Sequence, residues 1–282
     1  MDPIGAGDAV VGPPGCSLGW RRLTRTTTCV LEDNVAHHLV VVRSGELALR
    51  PRGHEPVVLL PRDAYLLPPA TACHVHALGE EVDVLCLTYQ ERAPGGAWAY
   101  GGRERGGLVR SSGVRPLRER IPIRWAPAIH DVLSPRTLLP LVGPVAWGPG
   151  RFALRGPQGL VVALVTTPTG TGPALHVHTQ STEIFVVLEG TFRIVWGEEG
   201  EHEVLLHAGD VVVIPPGYNR AFEAVGEGPH WLLPIVVGAD DETEDIAWLP
   251  AVERRLRAVA HPVQVAIARR ARLRIAARRP TS

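Results

Sequence analysis

Two histidines one residue apart, followed by a glutamate, give this 282-residue chain its clearest capacity for chemistry. The segment reads Gly172-Pro-Ala-Leu-His176-Val-His178-Thr-Gln-Ser-Thr-Glu183-Ile-Phe-Val-Val-Leu-Glu-Gly190. Residues i and i+2 of a strand point to the same face, so His176 and His178 enter one side of a sheet. Glu183 opens the next strand after a four-residue connection. An antiparallel neighbour is expected to bring its carboxylate beside the two rings. Two imidazoles and a carboxylate suit Fe(II), Mn(II), Ni(II) or Zn(II) with coordination positions left open. Burying such a group on an apolar face is costly unless it serves a purpose.

A second informative stretch is Gly209-Asp-Val-Val-Val-Ile-Pro215-Pro-Gly217-Tyr-Asn-Arg220-Ala-Phe222. It reads as a tight turn, a buried strand and a second turn. Phe185 and Phe222 share strand parity with Glu183 and Arg220 and are expected in a pocket wall. Tyr218 and Asn219 are candidates for the mouth, and His230 stands at the start of the last strand. His207 is expected at the surface.

Positioning these residues requires short strands. Strand-like runs of 4–8 residues bounded by turn residues recur from Gly159: Leu160–Thr166, Leu175–His178, Glu183–Leu188, Thr191–Trp196, Glu203–Leu206, Val211–Ile214, Arg220–Val225 and Trp231–Val237. Eight strands at this spacing suit a small antiparallel barrel. A similar set between about Thr26 and Gln90 includes His38–Arg43, Glu46–Arg50, Val57–Leu60, Ala64–Leu67 and Glu81–Thr88. Residues 1–15 are rich in Gly and Pro and are expected to be loose. The Gly/Arg-rich stretch Arg92–Ser112 reads as a linker, and Pro127–Leu141 as a short helix and connection leading into the second domain. An acidic patch, residues 240–245, precedes two expected helices, Leu249–Ala260 and Val263–Arg279, broken at Pro262. Their arginines read as a solvated face. The expected division is residues 1–92, 93–145, 146–239 and 240–282.

These motifs resemble the cupin superfamily. The family's first motif sets a glycine ahead of H-x-H, a glutamate three or four residues on, and a glycine after six more. Gly172, His176, His178, Glu183 and Gly190 match it. The second motif is G-x5-P-x-G-x2-H-x3-N, which Gly209, Pro215 and Gly217 match, with Arg220 in place of its histidine and Ala224 in place of its asparagine. The resemblance covers roughly residues 159–238. It implies an all-β fold of two jelly-roll-like barrels, a bicupin, with a helical tail. It also implies one divalent transition metal, Fe(II) foremost, with Ni, Mn or Zn as alternatives, held by His176, His178 and Glu183. The fourth ligand is missing. Either the metal stays on three residues and Arg220 receives an anionic substrate group, or Arg220 pairs with Glu183 and repels the metal. The first reading is preferred, because the planar fork of arginine suits a carboxylate.

The N-terminal half carries the pattern in degraded form. Aligning Gly45 with Gly190 puts His38 at the place of Glu183, and Leu31 and Asp33 at the places of the histidines. Aligning Arg62-Asp63 with Gly209-Asp210 puts Pro68 on Pro215, Ala70 on Gly217 and Cys73 on Arg220. Two anchors in register indicate an internal duplication. Asp33, His38 and Cys73, with His74 or His76 near, form a conceivable second site. A degenerate barrel kept for packing and dimerisation is preferred.

Composition narrows the function classes. All 29 basic residues are arginine and balance 29 acidic ones, so the total charge calls for neither nucleic acid nor an anionic membrane. Without lysine, Schiff-base chemistry through a lysine side chain is excluded. The four cysteines form no CxxC pair, no apolar run reaches the ~20 residues of a membrane span, and no signal peptide is evident. A cytoplasmic protein with reduced thiols is expected. By resemblance to quercetinase-like bicupins, the chain is expected to be a mononuclear metal-dependent oxygenase acting on a small anionic or enolisable substrate. Glu183 would act as ligand and proton acceptor, and Arg220 would orient the anion. A metal-dependent isomerase, cyclase or decarboxylase, and a metal-free module binding a small acid, are the alternatives. A homodimer is the assembly considered.

Overall fold

The computed structural model describes residues 9–32, 35–91, 107–117, 132–133, 137–144, 152–238 and 245–270. The chain divides into two compact units, one of Met1–Val114 with Pro140–Val162 and one of Arg115–Leu139 with Ala163–Ser282.

In the first unit, β1 (Ala9–Val11), β2 (Cys16–Thr24), β4 (His37–Ser44), β7 (Ala64–Leu67), β9 (Glu81–Tyr89) and β10 (Gly107–Val109) form a sheet in the order β1-β2-β9-β4-β7-β10. Strands β3 (Thr28–Leu31), β5 (Leu47–Pro51), β6 (Val57–Leu59) and β8 (Cys73–Ala77) form another in the order β3-β8-β5-β6. Leu47, Leu49, Leu59, Leu67 and Val82 are fully buried in one core cluster. Burying each such side chain contributes about 1.5–3 kcal/mol. Strands β11 (Thr137–Gly143) and β12 (Leu154–Arg155) pair in parallel through Val142 and Leu154.

Strands β13 (Leu160–Thr166), β20 (Trp231–Val237), β15 (Thr182–Glu189) and β18 (Val211–Ile214) lie side by side in that order. The second unit also holds β17 (His202–His207), β16 (Thr191–Trp196), β19 (Asn219–Val225), β14 (His176–His178) and β21 (Ile246–Trp248), a sheet in the order β17-β16-β19-β14-β21. The central strand β15 is buried along almost its whole length, which its Ile-Phe-Val-Val-Leu run permits. Strand β16 alternates instead, with Phe192 and Ile194 buried and Arg193 turned outward to Glu203 and Glu223. Phe185, Phe192 and Phe222 meet edge to face, their rings 5.5 and 5.8 Å apart, in the core. Helices α1 (Pro250–Val259) and α2 (Pro262–Arg270) follow β21.

All eight strands expected in the C-terminal half are present, within a residue or two of their expected ends. Several readings need correction. Strands β14 and β15 are not neighbours but belong to different sheets. Residues 137–141 of the expected helix lie in strand β11, whose Leu139, Leu141 and Val142 are buried; residues 127–131 fall outside the described residues. Ala9–Val11, within the stretch expected to be loose, pairs with β2. The two helices expected after Trp248 are present and are separated just ahead of Pro262, which starts the second, where its missing N–H has no intrahelical partner to lose.

Candidate metal centre

The centre is built from two sheets. His176 and His178 come from β14, both pointing the same way, and Glu183 from the second position of β15. One ligand atom from each lies within 4.8 Å of the others. All three side chains are buried, with His178 only 2% exposed. Arg220, fully buried, sits directly opposite His176 on β19.

Each ring has its orientation set from behind. His176 Nδ1–H donates to the Ala174 carbonyl at 2.8 Å, and the Trp248 ring packs 5.1 Å from the imidazole. His178 Nδ1–H donates to Asp245 Oδ2 at 2.5 Å and lies 3.0 Å from Ser181 Oγ. Donation through Nδ1 makes Nε2 the lone-pair nitrogen on both rings. Asp245 is itself enclosed: it also accepts from Ser181 Oγ–H at 2.5 Å and from the backbone N–H groups of Gln180 and Ser181 at 2.7 and 3.0 Å. Burial pushes its carboxyl up, but the hydrogen bonds it accepts from His178, Ser181 and Gln180 outweigh this and hold it down at about 2.

The donor set suits a metal ion. His178 Nε2 and Glu183 Oε2 stand 3.5 Å apart, close to the ~3.4 Å that two ligands about 2.1 Å from one ion require at a tetrahedral angle. Glu183 Oε2 is buried and makes no hydrogen bond, an expensive state for a carboxylate oxygen unless something coordinates it. Arg220 does not close onto it. Its Nη1 is 3.8 Å from Glu183 Oε2, beyond hydrogen-bond range, while Nη2 donates to the Pro215 carbonyl at 2.7 Å. Nε and Nη1 of Arg220 are buried without hydrogen-bond partners. Burial pulls this guanidinium below its ordinary value, and the charges of Glu183 and Asp245 push it back up. With neutral imidazoles, two carboxylates against one guanidinium leave one excess negative charge, so a cation is electrostatically admissible despite Arg220.

The scaffold that carries this geometry has known counterparts. The Cupin domain family matches residues 163–236. The second barrel is a cupin domain. No curated protein matches the sequence. Among solved structures, the formate complex of Lactobacillus farciminis oxalate decarboxylase is similar at 12% identity and TM-score 0.58, over 90% of this chain and 83% of that one. A variant of Bacillus subtilis oxalate decarboxylase gives 13% and 0.57 over 90% and 75%. Vicilin from Corylus avellana gives 13% and 0.52 over 79% and 75%. At these identities the likeness is one of fold, that of a bicupin.

Around this cupin site the other candidate residues fall in different places. Phe185 and Phe222 lie in the barrel core beside Ile214, the cross-strand partner of Glu183. Tyr218 is 53% exposed. Asn219 donates its side-chain N–H to the Glu198 carbonyl at 2.8 Å. His230 bonds Thr169 and packs on Phe192 beyond the Glu189 end of β15, six residues along the strand from Glu183. In the first barrel, Asp33 falls outside the described residues, while Leu31 and Cys73 pack in the core and His38 Nδ1 reaches Thr88 Oγ1 at 3.1 Å. Sequence reasoning missed Asp245, Ser181 and Trp248. Asp245 ends an acidic run that resembles a solvated connection, and its partner stands 67 residues away. No helix among the described residues is long and apolar enough to cross a membrane.

Proposed function

We propose that the second barrel binds one divalent transition metal through His176, His178 and Glu183, and that the protein is a metal-dependent enzyme acting on a small anionic organic substrate. The observation that carries this reading is the juxtaposition of a buried, hydrogen-bond-free Glu183 Oε2 with two pre-oriented imidazoles. The hydrogen-bond-free Nε and Nη1 of Arg220 supply a place for a carboxylate or enolate oxygen. The bound metal, Fe(II) foremost, with Mn(II), Ni(II) or Zn(II) as alternatives, would polarise a coordinated oxygen or give access to O₂.

The chain's own residues then divide the work. Arg220 orients the anion and offsets its charge. Glu183, able to ligate through one oxygen, can take up a proton on the other. The buried walls exclude bulk water, which strengthens every charge interaction inside. Oxygenation of an enolisable acid is the primary reading. Decarboxylation of a small carboxylic acid is the second, favoured by the fold likeness to two oxalate decarboxylases.

Elemental analysis of protein reconstituted separately with each ion tests the site. Near-stoichiometric metal is expected in the wild type, and loss in His176→Ala and Glu183→Ala. A wild type that retains no ion under any of the four reconstitutions would overturn the proposal. Parallel O₂-uptake and CO₂-release measurements over a panel of small carboxylates and enols then separate oxygenase from decarboxylase.

A further inference from the structure

We propose that the segment Asp245–Trp248, which lies outside the matched cupin domain, is a positioning element of the metal centre, so that metal affinity and docking of the C-terminal segment are linked. The inference rests on the metal reading above. Three independent contacts carry it. Asp245, fully buried, holds the Nδ1 side of the His178 ring and is fixed in turn by Ser181 and two backbone N–H groups. Strand β21 pairs with the ligand strand along its whole length, placing Trp248 opposite His176 and Ile246 opposite His178. The Trp248 ring then rests on the His176 ring.

The helix behind the strand reaches the same point. Val252 and Leu256 of α1 pack in one cluster with Ala174 and Trp248. The carbonyl of Ala174 is the acceptor that orients His176. Both ligand rings are therefore braced by residues arriving more than sixty positions later in the chain. A carboxylate bonded to the far nitrogen of a metal-bound imidazole fixes the ring and raises its basicity, and losing one typically costs 10–100-fold in metal affinity. Linkage requires the reverse effect: an ion that binds the braced rings must tighten the brace.

Titration of the full chain with Co(II), followed by its visible absorption, reads both affinity and ligand geometry. Asp245→Asn is expected to weaken Co(II) by about 10–100-fold and to alter the spectrum. Trp248→Leu, which keeps apolar packing, is expected to cost a smaller factor with the same sense. Asp63→Asn removes a comparably buried carboxylate, bonded to Arg110, Ser111 and Leu60, from the first unit. It should lower stability and leave the Co(II) affinity unchanged. Amide hydrogen exchange over residues 246–258 should slow on Co(II) addition in the wild type. If Asp245→Asn and Trp248→Leu both bind Co(II) like the wild type, and exchange in 246–258 ignores the ion, the positioning role is wrong while the metal site stands. If the wild type takes up neither Co(II) nor, in the same titration, Fe(II), Mn(II), Ni(II) or Zn(II), both proposals fall.

Discussion

The two barrels share a strand frame but differ in what they enclose. Strand β3 pairs with β8 through Leu31 and Cys73, as β14 pairs with β19 through His176 and Arg220. His38 pairs with Leu67 on β7, as Glu183 pairs with Ile214 on β18. At three matched stations, one barrel carries an imidazole, a carboxylate and a guanidinium, and the other an aliphatic chain, an imidazole and a thiol. Two of the first barrel's three sit in its apolar core cluster. The backbone tolerates either content. Chemistry therefore resides in the side chains placed at these stations and in what braces them, not in the frame.

The turns sharpen the contrast. Gly45 and Gly190 hold the same station, both at φ +79°. A Cβ there would stand 2.5 Å from the Glu81 carbonyl oxygen in one barrel and 2.5 Å from His230 Nδ1 in the other. At two further stations the first barrel has no glycine where the second has one. Arg62 (φ 71°) and Ala70 (φ 61°) occupy the stations of Gly209 (φ 100°) and Gly217 (φ 88°). The left-handed conformation is held there by residue types that suit it less well than glycine.

Exchanging contents between the barrels should give the largest effect. His176→Leu, which imports the residue of the first barrel, is expected to weaken metal binding at least ~1000-fold, read by isothermal titration. Next in size, Gly190→Ala and Gly45→Ala should each lower stability by about 2–4 kcal/mol in urea unfolding, because strain and close contact act together. Equal stability to wild type would show that the shared turn is not a requirement of the frame. Arg220→His should tighten metal binding about tenfold, or ~1.4 kcal/mol, by adding a ligand and removing a cation; unchanged affinity would mean that this station does not face the ion. The smallest effect is expected from Ala70→Gly, about 0.5–1 kcal/mol of added stability as left-handed strain is relieved against a small entropic cost.

Which features could be read from sequence follows from how local their causes are. Strands β15, β18 and β20 are dense in Val, Ile and Leu between turn residues, so hydrophobic pattern and punctuation suffice. The side to which His176 and His178 point follows from strand parity alone. That β14 and β15 belong to separate sheets does not, because sheet membership is decided by partners distant in sequence. Strand β21 is only three residues long and follows an acidic run, so no local pattern marks it. Asp245 draws its meaning from His178 and Ser181, which a linear reading cannot set beside it. Strand β11 was hidden for a related reason, since Pro140 at its centre argues against a strand unless pairing elsewhere compensates.

The turn at Pro215–Gly217 touches the centre twice through backbone alone. Gly217 N–H donates to the His178 carbonyl at 2.8 Å, and the Pro215 carbonyl receives Arg220 Nη2 at 2.7 Å. The strand of His176 and His178 and the Arg220 side chain are thus held by one three-residue turn. Any displacement of that turn would shift both together, so the spacing between the His178 backbone and the Arg220 guanidinium would change less than the position of either.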